Sequence, residues 1–175
     1  MGGLCASPQL QKVIKVVAGG SLRIESVLSG VREAPREAEL IAVHDGARPF
    51  ASPRLLEEVI RKAAQCGAAA PAIPVKDTVK RAGGAVVEET LNRSDLFFVQ
   101  TPQVFDAALL RGALEQALAA GEAPTDDCAT VERLGMKVAL TVGSDYNFKI
   151  TTPLDLVLAG AVLEEGGFLA DRTGV

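Results

Sequence analysis

The sequence predicts a single-domain α/β protein: a mostly parallel sheet in three layers, helices on both faces, and a β-arm projecting from the body. Three observations carry that expectation. Short β-branched or apolar runs alternate with segments of helical periodicity, the pattern of a sheet wound with covering helices. A length of 175 residues supports one hydrophobic core and sits at or below the size at which chains usually divide. Around Gly83-Gly84 the alternation gives way to a hairpin pattern.

Taken in order, Val13-Ile14-Lys15-Val16-Val17 is β-branched and reads as a strand, followed by Gly19-Gly20 and by Ser21 as N-cap of a helix over 22–32. Leu40-Ile41-Ala42-Val43 is a short apolar run suited to a strand buried on both faces, and it breaks at His44-Asp45-Gly46. Ser52-Pro53 opens a helix whose Leu55, Leu56, Val59, Ile60 and Ala63 share one face, with Gly67 placed to end it. The run from Ala69 to Val75 is too short for a helix. Pro71 and Pro74 give it the character of an irregular or edge strand. Residues 78–90 form the hairpin, and the arm spans about 76–93 within a domain taken as 1–175. A two-stranded ribbon is marginal alone, so packing against a second subunit is expected.

Leu96-Phe97-Phe98-Val99 is the next strand, and Asp106 caps a helix reaching Ala120. Thr125 is the expected cap of a helix running to Leu134, with Asp126 and Asp127 favourable at its positive end. Lys137 to Val142 is a strand. Thr152-Pro153 opens a closing helix whose Leu154, Leu158 and Val162 are expected to dock on the core.

Composition excludes several function classes. Eighteen Lys and Arg against 22 Asp and Glu, a net charge of −4, leave no uniformly positive face for a nucleic acid. No apolar run reaches the roughly 18 residues of a membrane span, and the start Met-Gly-Gly-Leu-Cys-Ala has no signal-peptide or myristoylation pattern. Cys5, Cys66 and Cys128 are odd in number and lack zinc-site spacing, which fits a reducing cytoplasm. Cys66 and Cys128 are expected to be buried as small apolar residues.

Chemistry-bearing residues cluster after strands. In a parallel sheet such clusters converge on one rim. Asp45 after an apolar strand suits a divalent cation or a substrate hydroxyl, and Arg48 offers a planar fork for carboxylate or phosphate. A turn in which Asp45 bonds its own backbone remains the alternative. Lys149 between Phe148 and Ile150 is either an anion partner or the outward residue of an alternating strand. His44, the one histidine, reads as a hydrogen-bonded strand-end residue before a general base, with no nucleophile placed beside it. Thr125 reads as a cap before a ligand, and Arg93 as a surface arginine.

The combination is more specific than its members. Val43-His44-Asp45-Gly46-Ala47-Arg48-Pro49-Phe50, Pro74-Val75-Lys76-Asp77-Thr78-Val79-Lys80, Gln100-Thr101-Pro102-Gln103-Val104-Phe105, Thr125-Asp126-Asp127, and the run from Asn147-Phe148-Lys149 to Leu156 closely resemble the 2-C-methyl-D-erythritol 4-phosphate cytidylyltransferase family in order and spacing. Gly19-Gly20-Ser21 through Arg23 and Ser26 resembles its second nucleotide-contacting segment. The resemblance implies a Rossmann-like nucleotidyltransferase fold. It also implies an enzyme joining CTP to methylerythritol phosphate with Mg²⁺ or another divalent cation, releasing pyrophosphate, in non-mevalonate isoprenoid biosynthesis. By resemblance, Gly20, Ser21 and Ser26 lie near the cytosine, and Asp45 near the ribose, metal and sugar phosphate. Arg48, Thr101, Thr125 and Lys149 surround the methylerythritol phosphate, with Thr78 and Arg93 delivered by the arm of a homodimer partner. Asp45, Arg93 and Lys149 are the expected catalytic residues. The implied location is cytoplasmic, or the plastid stroma if a transit peptide is missing from this chain.

The family also carries an A-A-G-x-G-x-R loop and a Pro-Lys-Gln segment, and neither pattern occurs here. The expectation is therefore a fold without the first βα unit, apolar surface left uncovered, and impaired activity. Backbone N–H groups of such a loop bind phosphate oxygens, and losing one well-placed donor costs roughly 10²–10³ in rate. Two alternatives stand beside this reading: a pentitol phosphate cytidylyltransferase, from which Gly46-Ala47 tilts away, and a non-catalytic dimerisation or regulatory subunit.

Overall fold

Strand β2 (Ala68–Pro74) organises the sheet, and its alternation explains the layers. In the computed structural model, which describes residues 12–166, Ala68 and Ala70 turn to one face and Ala69 to the other, as period-two geometry requires. Phe105 joins the first face and Val104 the second. Helices α1 (Arg23–Glu33), α3 (Ala107–Ala119) and α4 (Asp127–Glu132) cover the first with Leu28, Leu110, Leu114 and Val131. Helix α2 (Pro53–Cys66) covers the second with Val59 and Ala63. Each fully buried Leu or Val contributes roughly 1.5–3 kcal/mol. The expected three-layer α/β arrangement is present.

Around β2 run β1 (Leu40–Val43), β5 (Phe97–Val99), β6 (Gln103–Asp106) and β7 (Ala139–Val142). β7 lies parallel to β2, while β5 and β6 lie antiparallel to it and β6 antiparallel to β1. Strands β1, β2 and β7 therefore share one direction. β5 and β6 follow each other along the same edge of β2, with Ala72 opposite Val99 and Ala69 opposite Val104. They form one reversed strand line interrupted at residues 100–102, where the Thr101–Pro102 peptide is cis.

The edge character expected for the Pro-containing run is wrong: β2 is paired on both sides. The ladder tolerates Pro71 because its carbonyl accepts from the Gln100 N–H at 2.8 Å. A strand residue's two polar groups face the same neighbour, so the missing N–H falls at the interruption. Val13–Val17 forms no strand and is exposed, Ile14 at 80%. A β-branched run realises its preference only against a paired neighbour, and among the described residues it has none.

The hairpin is as expected: β3 (Lys80–Gly83) and β4 (Val86–Thr90) form a separate exposed ribbon, with Gly84 supplying the positive φ of 61° at its turn. A short 3₁₀ turn at Arg93–Asp95 closes the arm.

Caps account for most helix boundaries. The Ser52 hydroxyl accepts from the Leu55 N–H, Pro53 takes the first position, and Gly67 ends α2 in the left-handed region at φ 84°. Replacing Ser52 with alanine is expected to cost about 1 kcal/mol, read as a lower urea midpoint at unchanged slope. Two expected caps shift by one residue. Leu22, not Ser21, precedes α1, with Glu25 Oε2 accepting the Leu22 N–H at 3.0 Å. Asp126, not Thr125, caps α4, its Oδ1 accepting from the Ala129 N–H at 2.8 Å. A carboxylate there answers both the free N–H and the helix dipole.

Helix α5 (Pro153–Glu165) departs further from expectation. Leu154 and Leu158 are exposed, and only Ala159 and Val162 are buried, against Phe50, Phe148 and Ile150. Apolar residues occur all round this helix, so no stripe in the sequence marks the contacting face. Its start is a full capping box: Thr152 Oγ1 accepts from the Asp155 N–H, and Asp155 Oδ2 accepts from the N–H groups of Thr151 and Thr152 at 2.9 and 2.7 Å. Those backbone bonds, Thr151 first, hold the Asp155 carboxyl below its ordinary value. Their stabilisation is complete above about pH 3.9 and disappears as the pH falls through the lower folded value. Urea unfolding of the parent and Asp155→Asn should therefore differ at pH 6 and converge only in strong acid.

Cys128 is buried, as expected, and burial pushes its thiol well up. Cys66 is exposed, against expectation: the buried face of α2 is carried by Leu55, Val59 and Ala63, and the Cys66 thiol instead donates to the Lys62 carbonyl at 3.0 Å. Cys5 lies outside the described residues.

Candidate active site

Strand β1 ends at Val43, and a tight turn follows in which the Arg48 N–H donates to the Asp45 carbonyl at 3.0 Å. The turn is closed by the Asp45 main chain and not, as the alternative had it, by its side chain: the carboxylate points elsewhere. Its Oδ2 lies 3.0 Å from Lys149 Nζ and 3.7 Å from Arg48 Nε. The Asp45 N–H donates to Thr101 Oγ1 at 3.0 Å, so the interruption in the reversed strand line holds the turn. Arg48 Nη1 donates to the Asn147 carbonyl at 2.7 Å, and the Ile150 N–H to the Ala47 carbonyl at 2.8 Å, which fastens the segment after β7 to the same turn. Asp45, Arg48, Thr101 and Lys149 therefore meet at one rim.

Two buried amides hold this rim together. Asn147, with no exposed surface, donates through Nδ2 to the Thr101 carbonyl at 2.8 Å and to Gln100 Oε1 at 3.3 Å. Gln100 donates to the Ser144 carbonyl and accepts from the Ser144 N–H. Gly143 fits because a β-carbon there would sit 2.8 Å from the Ala72 backbone and from Gln100 Oε1.

Burial alone pushes the Asp45 carboxyl up. The Lys149 hydrogen bond and charge, with the charges of Arg23 and Arg48, outweigh it and hold the group below its ordinary value. Burial draws Arg48 down, and Asp45 partly offsets that. A cleft of about 550 Å³ opens beside the turn, lined by His44, Asp45, Arg48, Ser52, Leu56 and Pro102.

A second cluster adjoins the first. Arg23, at the start of α1, forms a bidentate pair with Asp127 at 2.9 and 2.7 Å. Gln103 donates to Asp126 Oδ2 and accepts through Oε1 from the N–H groups of Asp127 and Cys128. These contacts fix the loop carrying exposed Thr125 against the segment carrying Gly20, Ser21 and Ser26. There the Gly20 N–H donates to Ser26 Oγ at 3.1 Å, and a β-carbon on Gly20 would lie 2.3 Å from that of Glu25. Sequence reasoning gave no role to Arg23, Gln100, Gln103 or Asn147. No local spacing marks an ion pair between residues 104 positions apart.

The arm stands apart. Thr78 and Arg93 are exposed, and among the described residues no hydrogen bond or ion pair joins them to the Asp45 cluster. Arg93 Nη1 donates to the Lys76 carbonyl, and Lys76 Nζ pairs with Asp145 at 2.9 Å, tying the base of the arm to the loop that leads to Lys149.

Residues 4–165 match the family model described as IspD: 2-C-methyl-D-erythritol 4-phosphate cytidylyltransferase. The chain belongs to this family. It is 45% identical over 165 residues to the 2-C-methyl-D-erythritol 4-phosphate cytidylyltransferase of Halalkalibacterium halodurans, covering 94% of this chain and 72% of that protein. It is 46% identical over 155 residues to that of Geobacillus thermodenitrificans, covering 89% and 68%. The solved structure of the Thermus thermophilus cytidylyltransferase superposes with a TM-score of 0.78 at 41% identity, over 85% of this chain and 72% of that one. That of the Anaerococcus prevotii 4-diphosphocytidyl-2C-methyl-D-erythritol synthase gives 0.80 at 35% identity, over 86% and 70%. The IspD fold and family expected from the five polar clusters are thereby established.

Whether the residues suit a divalent cation turns on Asp45. Among the described residues no group of three or more His, Cys, Asp or Glu is gathered to cage a metal. Magnesium, however, commonly takes one or two carboxylates and completes its shell with substrate phosphates and water. Asp45 presents one carboxylate at the cleft, with Oδ2 engaged by Lys149 and Oδ1 without a hydrogen bond among the described residues. A single-carboxylate site of that kind fits.

Proposed function

We propose that the chain joins CTP to 2-C-methyl-D-erythritol 4-phosphate, forming the CDP-methylerythritol product and pyrophosphate for isoprenoid precursor synthesis by the non-mevalonate route. The observation that carries this reading is the meeting of Asp45, Arg48, Thr101 and Lys149 at one rim in a chain of the IspD family.

An oxygen of the sugar phosphate attacks the α-phosphorus of CTP, the bond to the β-phosphate oxygen breaks, and pyrophosphate leaves with that electron pair. Two anions must approach, so the site needs fixed positive charge where negative charge crowds. Lys149 and Arg48 supply it, and Asp45 holds both in place. Arg48, Thr101, Thr125 and Lys149 surround the methylerythritol phosphate, while Gly20, Ser21 and Ser26 adjoin the cytosine. Asp45 would hold the divalent cation, which when bound neutralises phosphate charge. Thr78 and Arg93 reach the substrate phosphate from the arm of a second subunit, making a homodimer the working form. That is consistent with a ribbon exposed along its whole length in one chain. The setting is the cytoplasm; no helix of the described residues is long and apolar enough to cross a membrane.

The test is pyrophosphate release from CTP and methylerythritol phosphate with magnesium, with calorimetry of each substrate alongside. Turnover with methylerythritol phosphate, outcompeting pentitol phosphates, supports the reading. Absence of both turnover and CTP binding, in a chain that associates with a complete family member, would instead favour the dimerisation-subunit alternative. Turnover equal to that of the relatives would overturn the expectation, drawn from the lack of an A-A-G-x-G-x-R pattern, that activity is impaired.

A further inference from the structure

The one histidine of the chain plays no part in the chemistry above, yet both its ring nitrogens are engaged. His44 Nε2 lies 3.0 Å from the Arg48 carbonyl oxygen and Nδ1 lies 3.0 Å from Thr101 Oγ1. A carbonyl oxygen only accepts, so Nε2 carries a proton. A neutral imidazole has one N–H, which leaves Nδ1 bare and makes the Thr101 hydroxyl the donor to it. The same hydroxyl accepts the Asp45 N–H at 3.0 Å. The hydrogen bonds thus run in one direction: Asp45 N–H to Thr101, Thr101 O–H to His44, and His44 Nε2–H to the Arg48 carbonyl.

From this we propose that His44 is a positioning residue for the transferase site. It commits the only hydroxyl proton of Thr101, and in doing so fixes the backbone at both ends of the turn that presents Asp45 and Arg48. The role of Thr101 changes accordingly. Its oxygen has nothing left to donate and only lone-pair density to show an incoming phosphate, so Thr101 shapes the turn while Lys149 and Arg48 provide the positive charge. His44 itself lines two clefts, one shared with Asp45 and Arg48 and the other with Ser26 and Val43. The role in turnover rests on the cytidylyltransferase reading; the proton assignment does not.

A tag-free, ¹⁵N-histidine-labelled chain gives one unambiguous set of imidazole signals, recorded in mild alkali. The expected result is the Nε2–H tautomer, with an Nδ1 resonance that moves toward the free-acceptor position in Thr101→Val. The opposite tautomer, or an imidazole indifferent to Thr101→Val, overturns the assignment whether or not the chain turns over. In the pyrophosphate assay, His44→Leu should lose about tenfold to a hundredfold in kcat/KM, the scale of second-layer partners of a metal-holding group, with the thermal midpoint little changed. His44→Asn, whose amide oxygen can take the place of Nδ1, should recover much of that loss. Parent-like kinetics in His44→Leu overturn the positioning role. A failure of parent, CTP and methylerythritol phosphate to interact at all, with the tautomer as expected, would instead count against the cytidylyltransferase reading.

Discussion

Replacing Lys149 with methionine lowers kcat for pyrophosphate release by roughly 10²–10³, the usual cost of one well-placed electrostatic donor at a charge-accumulating transition state. The stem of methionine fills a similar volume, so the loss isolates the ammonium. Lys149 is half-exposed in the free chain, where water screens it and its pairing with Asp45 adds little to stability. Once two anionic substrates cover the cleft that screening falls, and the same charge acts in a medium of lower dielectric constant. The variant should therefore unfold close to the parent temperature while losing turnover. A second consequence follows from charge alone. Without Lys149 the largest attraction opposing burial of the Asp45 carboxyl is gone, so that carboxyl titrates higher in Lys149→Met than in the parent. Parent-like turnover in this variant would remove Lys149 from the chemistry.

Arg23→Met is expected to reduce stability by about 3 kcal/mol, the lower end of the range for stripping one partner from a buried ion pair. Asp127 is 1% exposed and has no way to rehydrate, whereas Arg23 is about a third exposed and partly screened. For a chain of this length such a change lowers the thermal midpoint by roughly 6–12 °C. The double variant Arg23→Met, Asp127→Asn should recover most of the loss, because no unpaired charge then remains buried. A midpoint within a degree or two of the parent in Arg23→Met would show that the pair contributes little. Because the pair also tethers the Thr125 loop to α1, the single variant should bind methylerythritol phosphate more weakly than its fraction folded predicts.

These two residues illustrate what the sequence could convey. Lys149 was visible through a motif, Asn147-Phe148-Lys149, since a family's chemistry is written in contiguous residues around a strand end. The pairing of Arg23 with Asp127 was not, although both stand in segments that resemble the family, because it exists only after α1 and α4 pack on the same face of the sheet. Local stereochemistry was similarly legible: Ser52, Pro53 and Gly67 bound α2 where their cap preferences place them. Features that depend on a neighbour were not. Val13–Val17 has strand composition without a strand to join. Pro71 suggested an edge until the interruption at residues 100–102 supplied a place for its missing donor. In α5 the apolar residues surround the helix, so no periodicity told Val162 from Leu154.

The interruption at residues 100–102 also decides where the chain tolerates enlargement. Thr101 is gripped fore and aft by ladder pairing and laterally by buried amides, so a single added residue there would slide Asp45 out of alignment with Lys149. The Gly83-Gly84 tip is exposed on a ribbon separate from the main sheet, and a short peptide grafted at that point leaves the rim contacts within one chain undisturbed. The molecule thus divides into a stretch where length is fixed to the residue and a stretch where it is nearly free.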